Sequence, residues 1–437
     1  MDKLELLEII KNYINNEPSK KWIAGKDHIH YAGPFFDHDE LIRSISTLLD
    51  GWLVLGADAY KAEQKLAKLF GKNFGLLTNS GSSSNLLMMS ALKSKRYLNL
   101  PEGTKVLTPI AGFPTTINPI YQCGFIPIFV DIELNGLNLN LDEVESALQK
   151  NPDIQIITFA HVLGNPPDMY RLMQIVEKYN LILLEDCCDA LGSSYGNKPL
   201  GSFGMMASCS FYPAHHITCG EGGFISCNND QLDKVIRSLR DWGRGCYCHG
   251  KQNISQCGAC NKRFSEWLPS IPGEVFDHKY VYEEIGFNLK PIEVQASMLL
   301  AQIDKLENIK KLRIRNYLLL FDIFSKYEDY FILPKAQKFS DVNWFAFPLT
   351  IKNNTPFKRS ELCQFLESHK IQTRPYFAGN ILMQPAYDHL TGNLNLNDFP
   401  IAKKVTLDTF FLGTSPVISE EQISYIGEIV DKFMLKI

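Results

Sequence analysis

The alternation of strand and helix patterns between residues 60 and 230 constrains the fold more than any other feature of the sequence. Short runs that are apolar at successive positions alternate with segments in which apolar residues recur at helical spacing. The strand-like runs cover residues 105–109, 126–130, 154–159, 181–184, 207–211 and 223–227. Strands that are apolar on both faces predict a mostly parallel sheet with helices on each side. Ligands of such sheets bind at the carboxyl ends of the strands.

The chain has 437 residues, too many for one small domain, and its pattern changes at several places. We expect an N-terminal arm over 1–40 and a large domain over 41–320. Residues 243–282 are rich in Gly, Cys, Asn, Pro and aromatic residues and interrupt that domain as a long insertion. Loops of this length are uncommon in compact domains unless they are functional. A helical pattern over 291–320 leads into a smaller α/β domain at 321–437.

Charge and hydropathy exclude several classes of protein. Lys and Arg number 44 against 48 Asp and Glu, and no block of like charge occurs, so we expect no nucleic-acid interface. No apolar run approaches the ~18 residues of a membrane span. The N-terminal segment is amphipathic and lacks the basic start and apolar core of a signal peptide. These observations predict a cytoplasmic protein.

A hydroxyl-rich turn, TNSGSSSN at residues 78–85, precedes a helix pattern. The backbone N–H groups and serine hydroxyls at the start of a helix can bind a phosphate. This makes Gly81 and Ser82 candidate phosphate ligands. The alternative is an ordinary helix cap, which such sequences form more often.

Two further motifs lie at strand ends. Asp186 closes the sequence LLED, and a carboxylate at that edge can pair with a protonated pyridine nitrogen and make the ring an electron sink. The alternative is that Asp186 only caps the next helix. The segment SFYPAHHIT, which contains Ser210 and His215, is followed by GEGG at residues 220–223.

The order of these three motifs resembles that of the StrS/DegT-type sugar aminotransferases, and the similarity extends over most of the chain. It implies the type I fold of the aspartate aminotransferases, which binds pyridoxal phosphate in a large α/β domain with a mostly parallel sheet and adds a smaller C-terminal α/β domain. It also implies a homodimer in which Asn288 reaches the phosphate of the neighbouring subunit. The other cofactor-binding residues that it implies are Gly81, Ser82, Phe113 stacked on the pyridine ring, Asp186, Asp189 near the 3-hydroxyl, and Ser210.

The sequence departs from this family at the position of the lysine that forms the Schiff base, which is His215 here. An imidazole cannot form that bond, but it can take up and return protons near neutral pH. Transamination is therefore disfavoured. We expect a cofactor held without a covalent bond, as pyridoxamine phosphate (PMP), with His215 as the catalytic base. His216 is expected to be structural.

The cysteines suggest a metal site. Of the eleven, Cys187 and Cys188 are adjacent, and four more crowd into one short stretch: Cys246, Cys248, Cys257 and Cys260. Disulfides are rare in a reducing compartment, so such clustering favours a metal or an iron–sulfur cluster. Their spacing alone fits a structural zinc about as well as iron–sulfur. The remaining cysteines are expected to be small buried residues.

A branch of the same family with histidine in place of lysine, the nucleotide-sugar 3-dehydrases, favours the cluster. The sequence resembles the CDP-4-keto-6-deoxyglucose 3-dehydrase type, which carries a 2Fe–2S cluster. Cys188 and Cys246 have 57 residues between them and Cys248 follows after one more, as in that type. The fourth ligand implied by sequence context is Cys260, with Cys257 as the alternative.

This resemblance implies C3 deoxygenation of a nucleotide-linked 4-keto-6-deoxyhexose, with CDP as the expected nucleotide. A separate flavin and iron–sulfur reductase would deliver the electrons, and the dideoxysugar would enter lipopolysaccharide. Candidates for binding the diphosphate are Arg244, Lys279 and Arg374. Two alternatives stay open: a cluster-free GDP-sugar 3-dehydratase or aminotransferase-like enzyme, and a zinc-stapled binding protein without catalysis.

Overall fold

The computed structural model describes residues 1–18, 21–246, 263–389 and 394–437. The α-helices are α1 (Lys3–Asn16), α2 (His38–Asp50), α3 (Ala57–Leu69), α4 (Gly81–Lys93), α5 (Pro114–Gln122), α6 (Leu141–Lys150), α7 (Met169–Lys178), α8 (Asp230–Arg240), α9 (Glu293–Ser325), α10 (Arg359–Ser368), α11 (Pro400–Asp408) and α12 (Glu420–Met434). No helix in the described ranges is long and apolar enough to cross a membrane.

The strands form one large sheet, a smaller antiparallel sheet and short pairings. They are β1 (Phe74–Thr78), β2 (Lys105–Pro109), β3 (Ile126–Val130), β4 (Ile154–Ala160), β5 (Ile182–Asp186), β6 (Ser194–Tyr195), β7 (Lys198–Pro199), β8 (Met206–Ser210), β9 (Gly223–Cys227), β10 (Phe264–Ser265), β11 (Phe276–Asp277), β12 (Phe331–Ile332), β13 (Ser340–Asp341), β14 (Ala346–Ile351), β15 (Arg374–Pro375) and β16 (Thr409–Gly413).

The large sheet has seven strands in the order β1-β9-β8-β5-β4-β2-β3. The five strands from β8 to β3 are parallel, and β9 runs antiparallel to both of its neighbours. Ala160 pairs with Asp186, which in turn pairs with Ser208, so neighbouring strands end at the same edge. This is the mostly parallel sheet that the sequence predicts. The antiparallel β1–β9 edge was not predicted.

Successive residues of the central strands face two different cores. Ile157 and Leu183 belong to a cluster on one face of the sheet, whereas Ile156 and Leu184 belong to a cluster on the other. Helices cover both faces, which explains why these strands are apolar without alternation. Asp186 has the same parity as Leu184, so its side chain points to the face that α4 and α5 cover.

The C-terminal part has its own core. A four-stranded antiparallel sheet in the order β12-β14-β16-β15 packs against α10, α12 and the end of α9. The N-terminal segment reaches this part of the molecule, because Trp22 packs edge-on against Tyr425 and Ile29 forms a bridge with Ile371. The domain boundaries expected at 41, 243, 282 and 321 stay predictions.

Candidate active site

Asp186 lies at the carboxyl end of β5, where its carboxylate is 5% exposed and held by several donors. Its Oδ2 accepts a hydrogen bond from Asn85 Nδ2 and another from Thr116 Oγ1, each at 2.7 Å. Asn85 is fixed in turn, because its Oδ1 accepts a hydrogen bond from Ser208 Oγ at 2.6 Å. The carboxylate is therefore held in one orientation at the sheet edge, as a partner for a ring nitrogen must be.

The start of α4 provides the expected anion-binding feature. Ser80 caps the helix, its Oγ accepting from the Ser83 N–H at 3.1 Å. Ser82 is exposed, and its Oγ donates to Thr115 Oγ1 at 3.0 Å. The first N–H groups of a helix lack carbonyl partners within it, so this end can receive a phosphate.

Gly81, Cys188 and Ser210 converge beneath that helix end. A Cβ placed on Gly81 would lie 2.5 Å from the Ser210 Cβ and 2.9 Å from the Cys188 Sγ. Only glycine fits here, because both distances are shorter than real Cβ contacts. The cysteine expected to hold the cluster and the serine expected to bind the cofactor are therefore close neighbours.

His215 lies in the turn after β8, and its side chain is 17% exposed. Its Nδ1 is 3.4 Å from Asp189 Oδ1 and has no hydrogen-bond partner among the described residues. Asp189 is oriented by the Leu163 N–H, which donates to its Oδ2 at 3.2 Å. The imidazole therefore faces a carboxylate that can fix its tautomer, while Nε2 stays available for proton transfer.

Aromatic side chains surround the space next to His215. The Phe345 ring lies 5.4 Å from the His215 ring, and the Tyr212 ring lies 6.4 Å from it. Phe113, half exposed at the start of α5, meets Phe377 edge-on at 5.9 Å. Phe377 has a φ of 43°, an unusual value for a residue with a side chain. Of these rings, Phe345 and Tyr212 are the ones that neighbour the imidazole.

Asn288 is exposed, and its Oδ1 accepts from Lys290 Nζ at 2.8 Å. Lys290 lies 3.3 Å from the ring centre of Trp242, and the Arg244 guanidinium also packs on that ring at 4.6 Å. Burial lowers the pKa of Lys290 to about 8. Asn288 and Arg244 thus belong to one cationic neighbourhood.

The other two diphosphate candidates are Arg374 and Lys279. Arg374 packs over the ring of Tyr31, with its guanidinium carbon 4.4 Å from the ring centre. Lys279 lies in the 3₁₀ turn His278–Tyr280 of the insertion. Lys279 thus lies near Arg244, because the Arg244 guanidinium is 5.8 Å from the ring centre of the adjacent Tyr280.

Cys188 is partly buried, and burial together with Asp186 raises the pKa of its thiol well above the usual range. Cys246 is also partly buried and directly precedes the first residue outside the described ranges. Cys248, Cys257 and Cys260 lie outside the described residues. Buried cysteines that fit the packing role expected for them are Cys123, Cys209, Cys219 and Cys227.

The residues around Asp186 and His215 were mostly not predicted. Asn85 lies one helical turn after Gly81, and Thr116 lies in the first turn of α5, so helical spacing after each motif could have indicated both. His216 is buried, and its Nε2 lies 2.8 Å from the Asn343 carbonyl. Burial lowers the pKa of His216 well below its usual range, and the nearby Arg313 adds to the effect.

Comparisons with known proteins show which family the chain resembles. The DegT/DnrJ/EryC1/StrS aminotransferase family matches residues 36–431. The lipopolysaccharide biosynthesis protein RfbH of Salmonella typhimurium is 37% identical over 98% of this chain and 97% of its own. The dTDP-4-dehydro-2,6-dideoxy-D-glucose 3-dehydratase of Saccharopolyspora spinosa is 37% identical over 99% of this chain and 92% of its own.

Solved structures of similar proteins have the same fold. The Escherichia coli GDP-4-keto-6-deoxy-D-mannose-3-dehydratase with bound hydrated PLP is 25% identical, covers 92% of this chain and 99% of its own, and superposes with a TM-score of 0.81. The aminotransferase from Psychrobacter cryohalolentis, at 21% identity, covers 93% of this chain and 98% of its own with a TM-score of 0.80, and supports the fold alone. The fold is that of the PLP-dependent aminotransferases, as the sequence predicts, and the chain belongs to the DegT/DnrJ/EryC1/StrS aminotransferase family.

Proposed function

We propose that this protein is a PMP-dependent enzyme that removes the C3 hydroxyl of a nucleotide-linked 4-keto-6-deoxyhexose. The observation that carries the proposal is His215, which occupies the position of the family lysine and faces Asp189. A site with an imidazole at this position cannot tether the cofactor but can transfer protons. The relatives named as 3-dehydratases of nucleotide-linked keto-deoxyhexoses support the same reaction class.

The described residues fit the cofactor. Asp186 would pair with the ring nitrogen, the first turn of α4 at Gly81 and Ser82 would hold the phosphate, and Phe113 would cover the ring. Gly81 leaves space where any side chain would collide with Ser210. When bound, pyridoxamine phosphate supplies an amine that condenses with the sugar ketone and a protonated ring that accepts electron density.

The chain itself supplies position and proton transfer. With Nδ1 protonated and facing Asp189, the Nε2 of His215 carries the lone pair that takes up a proton and later returns it. Phe345 and Tyr212 pack around the imidazole and limit its access to bulk water. The Asn85 and Thr116 donors hold the Asp186 carboxylate in place at the sheet edge.

The finer part of the proposal is a 2Fe–2S cluster held by Cys188, Cys246, Cys248 and either Cys260 or Cys257. Two observations support it: the 57-residue spacing, and the position of Cys188 against Ser210 and Gly81. A cluster bound there would lie close to the cofactor. Two electrons and two protons would then replace the C3 hydroxyl with hydrogen and release water.

The electrons would come from a separate flavin and iron–sulfur reductase. The substrate proposed from the resemblance is CDP-4-keto-6-deoxy-D-glucose, although the relatives' names contain dTDP and GDP. The 3,6-dideoxyhexose product would serve lipopolysaccharide synthesis, the process after which the Salmonella relative is named. We also propose a homodimer, in which Asn288 completes the site of the neighbouring subunit.

The role of His215 is tested by replacing it with lysine and with asparagine. H215K should form a Schiff base with added pyridoxal phosphate, visible as a long-wavelength absorbance, and should lose most dehydration activity. H215N should lose the activity without gaining the absorbance, because an amide neither tethers the cofactor nor transfers a proton. Dehydration at the wild-type rate in H215N would contradict the assignment of the base.

The cluster is tested by metal analysis and by C188S. The purified protein should contain about two irons and two sulfides per chain, against about one zinc if the cysteines form a structural site. C188S should lose the visible iron–sulfur absorbance while still binding the cofactor. C363S, which changes a cysteine packed against the C-terminal core, is the matched control and should keep both. A colourless wild-type protein that dehydrates GDP-4-keto-6-deoxymannose would favour the cluster-free alternative.

A further inference from the structure

Arg313, in the middle of α9, is buried to 1% exposure. Its Nη2 donates to the His215 carbonyl at 3.0 Å and to the Ala214 carbonyl at 3.5 Å. Its Nη1 donates to the Phe345 carbonyl at 3.0 Å and to Thr414 Oγ1 at 3.4 Å. Within the part of the chain that the structure describes, no carboxylate makes a salt bridge with this guanidinium.

A buried cation that pairs with neutral oxygens and with no carboxylate among the described residues needs an explanation, because removing an ion from water is unfavourable. Burial lowers the pKa of Arg313 to about 10, and only the charge of Asp189 opposes that shift. Replacing Arg313 by an apolar residue would relieve the burial of charge but would leave several buried carbonyls without donors. The guanidinium therefore serves as the hydrogen-bond donor to these buried carbonyls.

The guanidinium of Arg313 connects two segments of the chain. One of its arms holds the turn that carries His215, and the other holds the chain at Phe345, whose ring faces the His215 imidazole at 5.4 Å. Thr414 reinforces the second arm, since its Oγ1 also lies within hydrogen-bond distance of the Phe345 carbonyl. A planar fork with fixed donor directions can satisfy both segments at once, whereas a lysine ammonium cannot.

We propose that Arg313 is a positioning residue for the proton-transfer step, fixing the backbone of His215 relative to Asp189 and to the Phe345 ring. The inference rests on the proposed role of His215 as the base. Arg313 does not touch the substrate in this account. It acts through the His215 carbonyl, so its loss should change the rate of proton transfer rather than the affinity for the sugar nucleotide.

The first experiment compares kcat and KM of R313K and R313M in the complete enzyme with its reductase. Arg315, which lies two residues further along α9 and contacts Asn316 and Glu420, supplies the matched control R315M. We expect R313K to lower kcat about 10- to 100-fold with KM within about twofold, because displacement of a catalytic group by about 1 Å has effects of this size. R313M should lose more than R313K, and R315M should change neither constant.

The second experiment reads the position of residue 215 without turnover. H215K and the double variants H215K/R313K and H215K/R315M are incubated with pyridoxal phosphate, and the Schiff-base absorbance is titrated. The R313K change should reduce the yield several-fold at a fixed concentration, whereas the R315M change should leave it as in H215K. This readout depends on where the backbone of residue 215 lies and not on whether histidine is the base.

The two experiments separate the possible failures. If H215N dehydrates the substrate at the wild-type rate while H215K/R313K still loses the Schiff base, the role of His215 is wrong and the positioning by Arg313 stands. If R313K keeps kcat within twofold and H215K/R313K gives the full absorbance, the positioning is overturned. Circular dichroism and thermal unfolding identify a variant that fails to fold. If R313M fails to fold, R313K decides, because lysine keeps the buried charge and can still donate hydrogen bonds.

Discussion

Asp186 and His215 are held by different means. The Asp186 carboxylate has side-chain donors from α4 and α5, so its direction is set by hydrogen bonds to the group itself. The His215 ring has a carboxylate 3.4 Å from Nδ1 but is otherwise fixed through its backbone. Hydrogen bonds thus fix the Asp186 carboxylate directly. His215 is held mainly through its backbone, so its ring nitrogens can exchange a proton.

The first prediction concerns the charge of Asp186. D186N should lower turnover about 100-fold or more, because an amide cannot stabilise a protonated ring nitrogen by its charge. Turnover and the absorbance of the bound cofactor measure the effect. T116V is the control: it removes one hydrogen bond and keeps the carboxylate, so it should lose about tenfold or less. Equal turnover in the two variants would contradict a role for the charge.

At the level of residues, the sequence indicates side chains that belong to ordered motifs. Asp186 and His215 were predicted because each lies in a short run with a defined place relative to a strand. Arg313 was not predicted, because it binds backbone carbonyls of residues distant in sequence. Every residue has such a carbonyl, so the residue types do not show which one a side chain will bind. For Asn85 the sequence shows the helical spacing from Gly81, but it does not show that the side chain binds Asp186.

At the level of elements, β4 and β5 are joined at their carboxyl ends by a buried polar pair. His161 follows β4, and its Nε2 lies 2.9 Å from Glu185 Oε2 in β5; both side chains are fully buried. Glu185 also accepts the N–H groups of Gly201 and Gly204 at 2.9 and 2.6 Å. This pair lies on the face of the sheet opposite Asp186. It stabilises β5, the strand to which Asp186 belongs.

A second prediction follows for Glu185. Burial by itself would raise its pKa, but the hydrogen bond and charge of His161 and the two glycine N–H groups bring it below the ordinary value of 4.5. A depressed carboxyl pKa contributes stability above the unfolded value and loses it as the pH falls through the folded value. E185Q should therefore be less stable by about 1–3 kcal/mol at pH 7. The difference from the wild type should shrink below pH 4.5.

Urea unfolding at pH 7 and at a series of lower pH values measures this difference. D153N, which removes an exposed carboxylate beside Lys105, is the control and should change stability little at any pH. A gap between E185Q and the wild type that is the same at every pH would mean that the charge of Glu185 does not contribute.

The sequence predicted most elements of the large sheet, and where it failed the reason is physical. The runs at 105–109, 126–130 and 223–227 coincide with β2, β3 and β9. An apolar run shows that a strand is buried but not which way its neighbour points, so the antiparallel pairing of β9 could not be predicted. β1 follows α3 after a short turn and runs directly into the TNSGSSSN motif, so its apolar residues were not recognised as a separate strand.

At the level of the whole molecule, the proposed dimer makes a prediction about shared sites. H215N and N288A chains carrying different tags would be combined and mixed dimers purified. If His215 of one subunit works with Asn288 of the other, each mixed dimer has one intact site and should recover about half of the wild-type turnover. Mixed dimers of H215N with D186N are the control and should recover nothing, since both residues serve the site of their own subunit.

A mixed dimer no more active than the mean of its parents would contradict the shared site. Size-exclusion chromatography with light scattering gives the oligomeric state in the same preparations. The division into an arm, a large domain and a small domain is a prediction at this scale too. Limited proteolysis would test it, because connections between domains are cleaved before packed segments.

The 33 residues of α9 have a consequence for how the enzyme opens. Glu293 at its start accepts the Asp58 N–H at 2.7 Å, Arg313 holds the His215 turn, and Asn316 donates to the Ser415 carbonyl at 2.8 Å. A straight helix of this length is about 50 Å long. The same helix enters both hydrophobic cores, through Leu306 in one and Leu320 in the other. We therefore expect a movement of the C-terminal part to shift the His215 turn with it.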